Sequence, residues 1–181
     1  VYDLLERIEE SELYKFATEA HNARFPAYAW KAVACEHLGI LPGSKPTPAQ
    51  IVGLKSTWGS MWLELTLRFD RMTTVRWAEH LECEEERIHN TLRYLGSSPQ
   101  QVAERLAMMG IMGTRMESCD CPLSHFFAGM YGAWFVRTFR ADVYVDFMVC
   151  ANPLAIEHTV HAFDDGETPE LNLFPDADVT V

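Results

Sequence analysis

Two thiols two residues apart, Cys119 and Cys121, and two imidazoles three residues apart, His158 and His161, are the side chains of this sequence best suited to covalent chemistry. A thiolate is a strong nucleophile, and an imidazole within hydrogen-bond reach both lowers a thiol's pKa and carries its proton to a leaving group. A carboxylate stands near each pair, Glu117 and Glu157, and either could orient the imidazole. Which cysteine acts, Cys121 or Cys119, and which histidine serves it stay open at this point. Buried cysteines also behave as small hydrophobes, and Cys150, in an apolar stretch, reads that way.

Three elements must position these groups. Residues 113–122 alternate so that an extended chain puts Glu117, Cys119 and Cys121 on one face and Met116 and Asp120 on the other, and Pro122 ends the strand. From Leu123 to Cys150 the spacing of Phe126, Phe127, Met130, Trp134, Phe135, Val143 and Phe147 predicts helix, with a break near Thr138 to Arg140. After Asn152-Pro153 the period falls to two. Leu154, Ile156, His158 and Val160 alternate with Ala155, Glu157, Thr159 and His161, Asp164-Asp165-Gly166-Glu167 supplies a turn, and Leu171 and Leu173 resume the alternation. The site is expected where the Cys119-Cys121 strand meets the 154–163 strand, roofed by the helix bearing Trp134 and Phe135.

Everything before Gly110 reads as helical scaffold. Residues 2–23 place Leu4, Leu5, Ile8, Leu13, Phe16 and Ala20 on one face, and residues 27–38 form a second helix ending at Gly39. Thr47-Pro48 opens a third, with Ile51, Leu54, Trp58, Met61, Trp62, Leu65 and Phe69 as its core stripe. A fourth runs from Thr73 or Thr74 to Leu95, and a short fifth carries Val102 and Leu106. The fold class is α+β, a helical bundle packed on a small, mainly antiparallel C-terminal sheet. The chain reads as a single domain, with residues 1–109 helical, 110–174 carrying the site and 175–181 a tail.

Composition narrows the partners. With 181 residues and 48% hydrophobic content, one sizeable core is attainable. The net charge of -11, with only 15 scattered Lys plus Arg, argues against nucleic acid and anionic membrane surfaces. No apolar run approaches the roughly 20 residues of a spanning helix, and the acidic start is unlike a signal peptide, so a cytoplasmic location is expected. Five irregularly placed cysteines are read as reduced thiols. The expected partner is a small-molecule substrate, a homo-oligomer is left open, and no cofactor is called for.

Other site classes draw on the same residue types. Cys119, Cys121, His158 and His161 are zinc-ligand types, but on a strand His158 and His161 point to opposite faces. A di-iron carboxylate centre would use the one Glu-x-x-His of the chain, Glu86 and His89, with Glu64 or Glu36 as single donors, yet no second such motif exists.

The run Ala151-Asn152-Pro153-Leu154-Ala155-Ile156-Glu157-His158-Thr159, followed by Asp164-Asp165-Gly166-Glu167, resembles the C-terminal signature of the L-2-amino-thiazoline-4-carboxylic acid hydrolase family. Cys121-Pro122 is similar to that family's upstream motif. The resemblance implies hydrolysis of a small non-peptide C-N bond of the cyclic amidine type, with Cys121 attacking the ring carbon. It further implies that Arg137 or Arg140 would grip a substrate carboxylate and that Trp134 and Asn152 would line the substrate site. The chain has Pro169-Glu170-Leu171 and the Phe139, Arg140, Asp142 region where the family carries further cysteines, which favours the alternative of a non-catalytic protein enclosing a small ligand.

Overall fold

A computed structural model describes residues 11–53 and 58–172. The chain forms two compact units, one ending at Leu81 and the other beginning at Glu82. Both limits fall inside one long helix.

In the first unit, Ser11 caps helix α1 (Glu12–Asn22) by accepting from the Tyr14 amide at 3.1 Å. Helix α2 (Ala27–Leu38) starts after Pro26 and stops at Gly39, which takes the left-handed conformation as expected. Helices α3 (Pro48–Gly53) and α4 (Trp58–Arg68) follow. Phe16, Phe25, Trp30, Met61 and Leu65 are fully buried, each contributing roughly 1.5–3 kcal/mol through its removal from water. Trp62 meets Phe16 and Phe25 edge-on and stacks flat on Trp58; of the expected stripe Ile51, Met61 and Leu65 are buried, while Trp58, Trp62 and Phe69 are only partly so. Leu4, Leu5, Ile8 and Leu54 lie outside the described residues.

Helix α5 (Thr74–Leu95) spans the limit, and in the second unit its Ile88, Leu92 and Leu95 share a core with Val102, Ala103 and Leu106 of helix α6 (Pro99–Met108). Ser98 caps α6, accepting from the Gln101 amide, with proline at the first helical position. Helix α7 (Pro122–Tyr131) buries Phe126 and Phe127 and ends at Gly132, again left-handed. Strands β1 (Val136–Thr138), β2 (Asp142–Val145) and β3 (Met148–Ala151) form one antiparallel sheet in chain order. Val136, Thr138, Val143, Val145 and Cys150 make its buried face. Helix α8 (Leu154–Asp164) lays Ile156, Thr159, Val160 and Phe163 on the core, and a short 3₁₀ turn (Pro169–Leu171) closes the described chain, with Asn172 bridging back to Gly113.

Among the described residues the fold is thus α+β, eight helices and a small antiparallel sheet near the C-terminus, and every named strand follows Gly110. No described helix is long and apolar enough to cross a membrane. The placement of the sheet corrects the sequence reading in three ways. Residues 113–121 are a turn-rich loop, not a strand. The helix expected over 123–150 ends at Tyr131, and its second half is the sheet. The stretch 154–163, read as a hairpin strand, is helix α8: its buried residues fall at i, i+3, i+4 and i+7, while Leu154, counted inward, is 70% exposed. Leu173 and the tail lie outside the described residues.

Candidate functional site

The loop of residues 113–121 is built as a closed ring on short hydrogen bonds. The Thr114 amide donates to Asp120 O at 2.7 Å, the Asp120 amide to Glu117 O at 3.0 Å, and the Gly113 amide outward to Leu171 O at 2.8 Å. Only glycine fits at 113, because a Cβ there would stand 2.4 Å from Asp120 O and 2.6 Å from Cys121 C. Two further ties fix the loop to its neighbours. The Thr138 amide of β1 donates to Ser118 O at 2.8 Å. At the end of α8, Asp164 accepts from the Met116 amide at 2.8 Å through its carboxylate and from the Arg115 guanidinium at 3.2 Å through its carbonyl. That carbonyl is one of the orphan acceptors of a helix C-terminus, and an arginine satisfies it well.

Where the loop enters α7, Cys121 is the N-cap. Its sulfur accepts from the Ser124 amide at 3.5 Å and lies 3.4 Å from the Ser124 hydroxyl. Ser124 donates to Ser118 O at 2.6 Å, which leaves its oxygen to accept from Thr138, 3.0 Å away, and from the thiol. Cys121 is 5% exposed, and burial raises its pKa despite the bonds to Ser124. Beside it a void of about 10 Å³, lined by Leu106, Leu123, Thr159, Val160, Phe163 and Leu171, has no room for a substrate. Cys121 is therefore a capping thiol held protonated, and the attacking role expected of it does not suit this geometry.

Cys119 is different. It is only partly buried, its sulfur 3.9 Å from the Ser118 hydroxyl, and it precedes Asp120. One oxygen of Asp120 accepts from the Thr114 hydroxyl, and the other lies 2.6 Å from Nε2 of His125. Side chains in a helix lean toward its N-terminus, so His125, on the first turn of α7, reaches back to the residue before the cap. Asp120 and His125 are 40% and 42% exposed, which leaves the pair open to solvent. Neither His125 nor Asp120 was singled out from sequence. The signal was the run Cys-Asp-Cys-Pro-x-x-His, in which a cap and a first-turn proline fix where the histidine must point.

The other expected site residues are placed as follows. His158 and His161 occupy the exposed side of α8, His161 paired with Asp165 at 2.6 Å, whereas Thr159, Val160 and Phe163 face the void that Cys121 lines. The expected meeting of thiols and these histidines on two paired strands is thereby removed. Glu157 pairs with Nε of Arg140 at 3.4 Å, so each takes up the other's charge. The Asn152 amide donates to Phe139 O and Arg140 O, bracing the turn between β1 and β2. Arg137 sits in the middle of β1 opposite Tyr144, Trp134 is buried just before β1 and roofs nothing on a helix, and Glu117 is half-buried in the loop.

Among the described residues, no three His, Cys, Asp or Glu side chains gather as a metal site. Glu86 is exposed. Glu64 and Glu36 instead share Arg68, at 2.8 and 2.7 Å, and Glu64 also meets His37 at 3.0 Å. Arg68 first, then His37, hold the Glu64 carboxyl below the usual carboxylate range.

No protein-family profile, curated protein or solved structure matches this chain.

Proposed function

We propose that this chain hydrolyses a small non-peptide C-N bond of the cyclic amidine type, with Cys119 as nucleophile and His125, oriented by Asp120, as proton shuttle. The observation that carries the reading is the Asp120-His125 pair at 2.6 Å on the loop that bears Cys119. A carboxylate on Nε2 fixes the orientation of the ring, leaving Nδ1 to exchange a proton with thiol and substrate. The sulfur attacks the electrophilic ring carbon, the C-N bond breaks as nitrogen takes the proton from His125, and water then cleaves the C-S bond to restore the thiol. Cys121 keeps the loop and helix in register throughout. The resemblance to the thiazoline carboxylic acid hydrolases supports the substrate class and the use of a thiol.

A non-catalytic reading is favoured by the protonated, fully bonded state of Cys121, and thiol labelling separates the two. Iodoacetamide near neutral pH should modify Cys119 rapidly and stoichiometrically, with His125→Ala slowing it and Cys121→Ser leaving the rate unchanged. If Cys119 reacts only slowly, with the pH profile of an unactivated cysteine, the covalent mechanism fails.

A further inference from the structure

We infer that Cys119 and Cys121 are an oxidisable pair, which hydrogen peroxide converts to a disulfide within the loop, uncapping α7 and shutting the proposed site. The inference rests on the reading above only in taking Cys119 as the more reactive thiol.

Reach is set by the chain. Residues two apart cannot have Cα atoms more than about 7 Å from one another, and a disulfide takes separations of roughly 4.4–6.8 Å. The turn closed by the bond from the Asp120 amide to Glu117 O places Cys119 on a bend of the loop, two residues before the cap. Exposure sets the order of events. Cys119 is partly open to water, whereas Cys121 is 5% exposed and its hydrogen goes to Ser124. An oxidant in solution therefore meets Cys119 first.

The steps balance with peroxide as the two-electron acceptor. The Cys119 thiolate attacks one peroxide oxygen, the O-O bond breaks, and a sulfenic acid and hydroxide result, the hydroxide taking a proton from solvent to become water. As the loop opens, the Cys121 thiol attacks the sulfenic sulfur, forming the S-S bond while its proton leaves with the sulfenic hydroxyl as a second water. Once bonded, Cys121 has no hydrogen for Ser124, and its sulfur is drawn from the Ser124 amide. The chain Ser118-Ser124-Thr138 then loses one end, and the first turn of α7 loses its cap. His125 stands on that turn, so its pairing with Asp120 loosens as well.

The test uses the whole chain. Residues 116–137 hold both cysteines and no lysine or arginine before Arg137, so trypsin releases them on one peptide. After treatment with hydrogen peroxide and quenching with iodoacetamide under denaturing conditions, that peptide should carry no alkyl group and lack two hydrogens. Dithiothreitol should return it to a doubly alkylated form. Cys121→Ser should stop at a sulfenic acid that dimedone traps on residue 119, and Cys119→Ser should leave Cys121 fully alkylated. The inference is overturned if oxidised wild-type protein keeps an alkylatable Cys121, or if Cys119 bridges to another chain. A disulfide formed in protein with slow alkylation and no hydrolysis would retain this inference and refute the proposed function; fast alkylation and hydrolysis without a disulfide would do the reverse.

Discussion

Of the three histidine-carboxylate pairs among the described residues, His37-Glu64 in the first unit and His125-Asp120 in the second both lie within hydrogen-bond distance and differ in company. In the first unit His37 meets Glu64 at 3.0 Å, but Glu64 also binds Arg68, which binds Glu36 in turn. In the second, His125 meets Asp120 at 2.6 Å, and among the described residues the other Asp120 oxygen has only the neutral Thr114 hydroxyl. An arginine on the Glu64 carboxylate satisfies its charge with a fixed cation, and among the described residues the Asp120 carboxylate has no arginine on it. The first pair is a clip between helices α2 and α4, whereas the second is the pair on which the proposed proton shuttle rests. Distance alone would not have told them apart.

The largest effect expected is from Gly113→Ala, which breaks the second pair by displacing the backbone that carries it. A Cβ would collide with main-chain atoms of Asp120 and Cys121, so the loss of stability in urea unfolding should be about 3 kcal/mol. An unchanged midpoint would mean that the loop is not held as described. Asp120→Asn against Glu64→Gln sharpens the contrast: the first should slow Cys119 alkylation at neutral pH about tenfold, worth about 1.4 kcal/mol, and the second should not touch it. Equal effects would erase the distinction. Next, Cys121→Ala should cost about 1 kcal/mol as a lost helix cap, while Cys121→Ser, a stronger capping residue, should recover most of it. The smallest effect is expected from Arg68→Met. Because the native Glu64 pKa is depressed, its contribution to stability is present above the unfolded pKa and is lost as pH falls through the folded value. The variant should flatten that acid limb, and the difference from wild type should shrink as salt is added.

Most of the helical part was legible because its signals are local. Ser98-Pro99, Gly39 after Leu38 and the seam of Ile88, Leu92 and Leu95 each depend on neighbours within a turn. The second unit misled for the opposite reason. Thr159 looked like the polar partner of an alternating strand, yet it is buried because its hydroxyl donates to Ala155 O at 2.7 Å within the helix. Asp146 and Phe147 both take positive φ, and although aspartate suits such a turn, phenylalanine stands where it favours glycine. The aspartate is kept there by accepting from the Trp134 and Phe135 amides at 2.9 and 3.0 Å, partners found eleven and twelve residues upstream. The proposed site is half legible: its thiol stands out in the sequence, but the bond between His125 and Asp120 depends on Cys121 starting a helix, which the alternation of residues 113–121 hides.

The ties of the 113–121 loop also set a timetable. The whole sheet lies within residues 136–151, and its hairpins close over short spans that form in microseconds. The loop waits for Asp164, 48 residues from Met116, and for Leu171, so its contacts carry a far larger loop-closure cost. Refolding followed by amide exchange should find the β2 and β3 amides protected early and those of Gly113 and Met116 late. On the ribosome the same order means that Cys119 and Cys121 emerge and stay solvent-open until the last described stretch of the second unit has been made.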